Sequence, residues 1–236
     1  MIEVRGISKF YDGIAVVQDV SFTIKTGTVF GFLGPNGAGK TTTMKMMVGI
    51  SRPDAGSIVI ASKDSQDPAV REHVGYMPEA PYFYDRLTGL EFMKFCGDLF
   101  ARPDSKRDYE RILEDMGLAD AGSRAIATYS KGMKQRLGFA QALVNHPQYL
   151  FLDEPLDGLD PLGRREMKKT ILRLKSEGTT VFFNSHILSD TEEICDDIGV
   201  LHQGALLYAG AVKEFCNGMP LEERFVKTIE TYLPNA

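Results

Sequence analysis

The stretch Gly34-Pro35-Asn36-Gly37-Ala38-Gly39-Lys40-Thr41 constrains this chain more than any other, because it fills every position of G-x-x-x-x-G-K-[ST]. Its context fits as well as its letters. Thr28 to Leu33 reads TVFGFL, a nearly continuous apolar run of the kind expected for a strand buried on both faces. Thr42 to Ile50 follows, with Met44, Met47 and Val48 as the apolar face of a helix. Strand, glycine-rich turn and helix, in that order, make a phosphate-binding loop. Glycines let backbone N–H groups turn inward on phosphate oxygens with no Cβ in the way. The new helix presents its positive end to the same anion. Residues 34–41 and Thr42 are thus candidate ligands of a nucleotide, with Lys40 reaching the β- and γ-phosphates and the Thr41 hydroxyl binding Mg²⁺.

A second apolar strand, Tyr149-Leu150-Phe151-Leu152, ends in two carboxylates, Asp153 and Glu154. A buried strand carries Asp153 to the sheet edge beside the phosphate loop, where it can hold Mg²⁺ directly or through water. Glu154 comes next and is a candidate general base for an attacking water.

The remaining pattern says what surrounds these motifs. Ile2 to Ile7 and Val16 to Ile24 alternate apolar with polar residues around the turn dipeptide Asp12-Gly13, so the chain opens as an antiparallel β layer. Ser57 to Ile60 and Val74 to Met77 read as further strands. From Ala80 to about Val144 strand signals are scarce, and Leu90–Phe100, Lys106–Met116 and Lys131–Val144 have helical spacing without a sustained heptad. The α/β alternation then resumes. Arg164 to Lys175 is an amphipathic helix with Met167, Ile171 and Leu174 on one stripe and Gly178 at its end. Thr180 to Asn184, Ile198 to His202 and Ala205 to Tyr208 read as strands, and a last helix lies near Leu221–Tyr232. The division expected is an α/β core over 1–79 and 146–216, a helical insertion over 80–145 and a C-terminal helix within 217–236.

Composition narrows the classes. With 236 residues, 43% hydrophobic and 25% charged, the chain can build one large α/β core. A net charge of −5 argues against a nucleic-acid partner bound by phosphate neutralisation. Cys96, Cys195 and Cys216, like His73, His146, His186 and His202, are scattered without zinc-type spacing. An odd number of separated thiols suits a reducing compartment. Neither a leader-like start nor an apolar run approaching about 18–20 residues is present, so any membrane attachment is expected to run through another chain.

The order phosphate loop, helical insertion, Ser130-Lys131-Gly132-Met133-Lys134-Gln135-Arg136, YLFLDEP, Leu159-Asp160 and a strand-terminal His186 resembles the nucleotide-binding domain of ATP-binding cassette (ABC) transporters over nearly the whole chain. That resemblance implies a P-loop NTPase fold with a RecA-like core, an antiparallel β layer and an inserted α-helical subdomain. It also implies an ATPase using ATP and Mg²⁺, in which two cassettes, identical or different, sandwich two ATP molecules head to tail. Ser130 and Gly132 would serve the ATP held by the partner's phosphate loop, and Ser130 would also cap its helix. His186 would contact the γ-phosphate and Glu154, and Asp160 would touch the opposite subunit. Tyr11 is the expected adenine platform, with Phe10 or a core role for Tyr11 as the alternatives.

Two positions depart from the family pattern. Glu79 stands where Gln is common, a carboxylate that can still coordinate Mg²⁺ but adds negative charge near a triphosphate. Lys131 and Met133 replace the frequent Gly and Gln, and Lys131 either strengthens binding of a partner-held phosphate or faces solvent. A YSKGM signature with Glu after Met-Pro is similar to the exporter-type subgroup. The implied location is the cytoplasmic face of a membrane, on a separate transmembrane permease, with Tyr82, Phe83 and Tyr84 as the expected contact unless they are core. The competing reading is a soluble ABC ATPase of cofactor assembly.

Overall fold

The computed structural model describes residues 1–100 and 105–232, so the expected insertion and C-terminal segment each include four residues, 101–104 and 233–236, that lie outside the described residues. Strands β1 (Ile2–Tyr11) and β2 (Ile14–Ile24) form the opening hairpin. Its turn residues Asp12 and Gly13 both have positive φ, 50° and 79°, the backbone twist that a two-residue hairpin favours. β3 (Val29–Leu33) leads into α1 (Lys40–Met47), and β4 (Ala55–Ile60) with β5 (Lys63–Asp64) completes a four-stranded antiparallel sheet ordered β2-β1-β4-β5. α1 starts and stops earlier than its apolar spacing suggests, because Gly39 (φ 104°) opens it and Gly49 (φ 75°) turns the chain out after it.

After the short α2 (Pro68–Arg71) and β6 (Val74–Met77) come α3 (Gly89–Gly97), α4 (Lys106–Asp115) and α5 (Lys131–Ala142). The chain then alternates: β7 (Tyr149–Asp153), α6 (Pro161–Ser176), β8 (Thr180–Asn184), α7 (Leu188–Ile194), β9 (Asp197–His202), β10 (Ala205–Ala211). Two helices close it, α8 (Val212–Cys216) and α9 (Leu221–Tyr232). α6 begins three residues before the expected Arg164, since Asp160 caps it and Pro161 fills its first position.

A second sheet, ordered β10-β9-β3-β8-β7-β6, has parallel pairing from β9 through β6, with β10 antiparallel at one edge. Its central strands β3, β7 and β8 are buried on both faces, and side-chain alternation divides their residues between two cores. Phe151 and Phe182 point to the antiparallel layer, joining Phe22, Phe30 and Phe32 in a cluster where the Phe22–Phe30 centroids are 5.4 Å apart and the Phe30–Phe182 centroids 5.8 Å. Leu150, Leu152, Val181 and Phe183 point the other way, into a core shared with Phe92, Met93, Leu137, Phe139 and Ile171 of the helices. The described helices between residues 80 and 145 therefore do not float on the sheet; their apolar side is continuous with it. A third cluster packs Val212, Phe215 and Leu221 on Ile198 and Val200.

The consequence for chemistry lies in strand order. β8 separates β3 from β7, and β6 flanks β7, so the carboxyl ends of four parallel strands lie side by side. They deliver the phosphate loop, His186, the Asp153-Glu154 pair and Glu79 to one edge, the position where open parallel sheets bind ligands. Among the described residues no helix is long and apolar enough to cross a membrane.

Candidate active site

The phosphate loop leaves β3 at Leu33 and enters α1 at Lys40. Gly34 and Gly39 are both tight points: a Cβ would sit 2.3 Å from the Leu201 carbonyl oxygen at Gly34, and 2.6 Å from the Val16 carbonyl oxygen at Gly39, where the backbone is already at φ 104°. The loop is braced by the Ala38 N–H donating to Pro35 O (3.1 Å) and the Gly204 N–H donating to Ala38 O (3.0 Å). The buried Lys40 ammonium donates to Gly34 O at 2.6 Å and Pro35 O at 3.1 Å. Burial pushes its pKa down, and the carboxylates of Glu154, Asp153 and Glu79 pull it back up. Lys40 is thus the cation facing three acids.

A pocket of about 310 Å³ is lined by Val16, residues 36–42, Glu79, Asp153 and Glu154. Asp153 is 1% exposed, and its Oδ1 accepts from Asn184 Nδ2 at 2.8 Å. Its Oδ2 is buried and has no hydrogen-bond partner, an expensive state for a carboxylate oxygen unless a cation or a water completes it. Thr41 and Glu79 supply further oxygens in the same pocket. An oxygen donor set with few protein ligands suits Mg²⁺, which keeps waters and leans on substrate phosphates. The residues present therefore fit the ion that the sequence implies.

Glu154 holds φ at 52°, in the left-handed region that a non-glycine side chain seldom occupies. Both of its backbone groups are fixed: its N–H donates to Asn184 O at 3.1 Å, and its carbonyl accepts from Gln135 Nε2 at 2.9 Å. So held, its side chain meets His186, with Nδ1 2.8 Å from Oε2 and the His186 N–H donating to the same oxygen at 3.3 Å. Burial raises the Glu154 pKa, opposed by His186 and Lys40. A carboxylate made more basic by burial and oriented by a histidine is built to accept a proton.

Other expected site residues lie apart. Ser130 caps α5, accepting from the Met133 N–H at 3.2 Å, and Gly132 follows in the first turn. Asp160 caps α6, accepting from the Gly163 N–H at 2.7 Å. None of these three lines the pocket. Tyr11 stands exposed at the hairpin turn with the Lys9 ammonium 5.6 Å from its ring centre, Phe10 is equally exposed, and the hairpin residue that lines the pocket is Val16. Gly34 and Pro35 lie behind the loop as acceptors for Lys40. The residues that motif reading passed over are Gln135 and Asn184, which position Glu154 and Asp153; their only signal was a polar side chain within an otherwise apolar helix face and strand.

Fold and site together are those of a P-loop nucleotide-binding domain. Comparison with known proteins agrees. The sequence profile of the ABC transporter family matches residues 17–157. An uncharacterized ABC transporter ATP-binding protein of Nostoc sp. is 47% identical over 205 residues, covering 85% of this chain and 61% of that protein. A second, from Synechocystis sp., is 43% identical over 91% of this chain and 64% of its own length, so the match spans less than two thirds of either relative. A fluoroquinolones export ATP-binding protein of Mycobacterium tuberculosis is 38% identical over 88% of this chain and 69% of its length. Among solved structures, an ATP-binding subunit of an ABC transporter superposes with a TM-score of 0.89 at 30% identity, covering 97% of this chain and 99% of the other. The dimeric cassette MJ0796, bound to ADP and Pi, shares the fold with a TM-score of 0.83 at 21% identity, over 89% and 98% of the two chains. The chain belongs to the ABC transporter family.

Proposed function

We propose that this chain binds ATP and hydrolyses it to ADP and phosphate as the ATP-binding subunit of an exporter-type ABC transporter. The observation that carries the reading is the 2.8 Å contact of His186 with Glu154, beside a pocket lined by the phosphate loop and Asp153. Lys40 and the backbone N–H groups of residues 36–42 bind the phosphates. Glu154 takes a proton from a water whose oxygen bonds to the γ-phosphorus as the bond to the β–γ bridging oxygen breaks, and ADP leaves. His186 holds the Glu154 carboxylate and reaches the γ-phosphate. Thr41 and Asp153, with Glu79 beside them, would hold Mg²⁺, which would neutralise charge on the phosphates. Glu154→Gln should keep ATP binding, abolish turnover and trap an ATP-bound dimer; turnover at the wild-type rate in that variant removes Glu154 as the base.

The exposed caps Ser130 and Asp160 sit outside the pocket, which supports a role toward a second cassette, identical or different. There Ser130 and Gly132 serve the other subunit's ATP, and Tyr11 stacks on adenine. Residues 80–145 act as the helical subdomain, 1–79 and 146–216 as the ATP-binding core, and 217–236 as the C-terminal helix. The site of membrane docking is the aromatic strip after Glu79. Tyr82 is 86% exposed and Tyr84 packs edge-on to Phe95 at 5.4 Å, whereas Phe83 is buried against Phe92. The strip runs along α3 to Leu99, on the rim of a groove of about 950 Å³ that also involves Ile50, Tyr76 and Phe100. Apolar area left open on this scale supports a transmembrane permease as the occupant, at the cytoplasmic face, over a soluble assembly partner. Export rather than import is supported by the signature and by the names of relatives that move drugs out. Purification from detergent-solubilised membranes tests this: a multi-spanning protein should co-purify, and recovery with soluble partners alone overturns the transport reading.

A further inference from the structure

Lys131 is the first residue of α5, where a positive charge opposes the helix dipole. Its ammonium is 2.8 Å from Asp157 Oδ2. The stem of the side chain lies flat on the loop: a Cβ built on Gly158 would be 2.6 Å from Lys131 Cε and 2.9 Å from Cδ. That contact requires the absence of a side chain at 158, so the lysine and the glycine belong to one arrangement. Asp157 in turn is one step from the reacting centre, its N–H donating to the Glu154 carbonyl at 3.2 Å. The same carbonyl receives Gln135 of α5. Gly132, also in α5, faces the loop too, and a Cβ there would be 3.6 Å from Leu159 Cδ2 and 3.7 Å from Gly158 O. One and a half turns of the helix that begins at Ser130 thus ride on the segment from Glu154 to Leu159.

We propose that Lys131 is a positioning residue that, with Asp157 of its own chain, clamps the loop carrying Glu154 and Asp160 to the start of α5, instead of reaching a phosphate held by a second cassette. Lysine at 131 and aspartate at 157 are a matched pair, and the clamp rests on the assignment of Glu154 as base made above. The Lys131 contact also holds the Asp157 carboxyl below its ordinary range.

The test is a double-mutant cycle on the full chain, reading kcat and KM for ATP by phosphate release in Lys131→Met, Asp157→Asn, the double variant and Lys131→Arg, with melting curves to certify folding. Both partners are partly exposed, so the effect is modest. Each single variant should lower kcat by roughly two- to fivefold with KM unchanged, and the double variant should be no worse than either. Lys131→Arg should keep the wild-type rate, and added salt should shrink the difference between wild type and variants. If Lys131→Met instead raises KM for ATP while Asp157→Asn leaves it alone, the lysine serves the nucleotide and the clamp is wrong. Wild-type kinetics in all four variants equally overturns it. Glu154→Gln run alongside separates the two claims, because full turnover there defeats the site assignment and not the clamp.

Discussion

Gln135→Met isolates one hydrogen bond on which the proposed base depends. Gln135 is 6% exposed, and its Nε2 donates to the Glu154 carbonyl at 2.9 Å. Methionine has nearly the same length and volume, so packing is kept while the donor is lost. The carbonyl then loses one of its two donors and keeps the Asp157 N–H at 3.2 Å, which costs about 0.5–1.5 kcal/mol. Glu154 at φ 52° stores strain of about 1–2 kcal/mol, so the lost bond is comparable to what holds the conformation in place. With about 2–4 °C of Tm per kcal/mol for a chain of this size, Tm should fall by about 1–6 °C. The larger effect falls on rate: if Glu154 relaxes toward an ordinary φ, its carboxylate leaves His186, and a displacement near 1 Å costs on the order of a hundredfold. Phosphate release at saturating ATP gives kcat, and calorimetric titration of ATP gives binding, which should hold because Lys40 and the phosphate loop do not touch Gln135. A variant that melts as the wild type does and turns over within about twofold of it refutes the argument, since the strained backbone would then be held by the Asn184 carbonyl and the Asp157 N–H without Gln135.

Two further outcomes follow from the acids around the pocket. Glu79→Gln should retain ATP binding and alter turnover modestly, because Thr41 and Asp153 remain as oxygen donors; titration showing no nucleotide binding sinks the peripheral role given to Glu79. Glu154 carries a raised pKa in the folded chain, so it keeps its proton to higher pH than in the unfolded chain. The stability this brings is complete below the unfolded pKa and is lost as pH rises through the folded value, which leaves ionised Glu154 a net cost near neutrality. Glu154→Gln should therefore raise Tm at about pH 7 and lose that advantage near pH 4, and in the wild type the acid limb of kcat should sit above the ordinary glutamate range. A lower Tm for the variant at about pH 7 contradicts the burial argument.

The sequence was most legible where one physical rule acts alone. TVFGFL and YLFLD can only be strands buried on both faces, and they are; the alternation that splits Leu150 and Leu152 from Phe151 follows from the period of two. The hairpin turn at Asp12-Gly13 was equally plain. Helix ends were less so. Apolar spacing says where a helix can bury a stripe, but Gly39 and Asp160 decide where α1 and α6 begin. α7, α8 and α2, four to seven residues each, were not foreseen, because so short a helix shows no periodicity and exists by tertiary packing. In the site, most residues that line the pocket could be named from a motif, whereas Gln135 and Asn184 act through bonds across the sequence, 19 and 31 residues away. No local pattern encodes a partner at that distance. Lys131 is the sharpest case: the letters left it between phosphate and solvent, and its neighbour proves to be Asp157.

α5 gives these separate contacts a common consequence. At its first turn the exposed Ser130 and the neighbouring Gly132 lie outside the pocket of their own chain. Five residues along, Gln135 holds the carbonyl of the base that serves that pocket. In the head-to-tail pair proposed above, a nucleotide engaging Ser130 would belong to the other subunit, and its arrival would load the end of the helix whose body holds the Glu154 carbonyl. The distance is about one and a half turns, too short for a helix to bend without breaking its hydrogen bonds. A shift of α5 must therefore carry the Glu154 loop with it, or be resisted by that loop. Binding at one site and readiness of the base at the other become one mechanical variable, which is the condition for two sites to be energetically coupled. Such coupling has a signature: in Gln135→Met, dependence of turnover on ATP should lose steepness along with rate, as the helix no longer grips the loop. Unchanged steepness at a reduced rate means that α5 positions the base without transmitting anything.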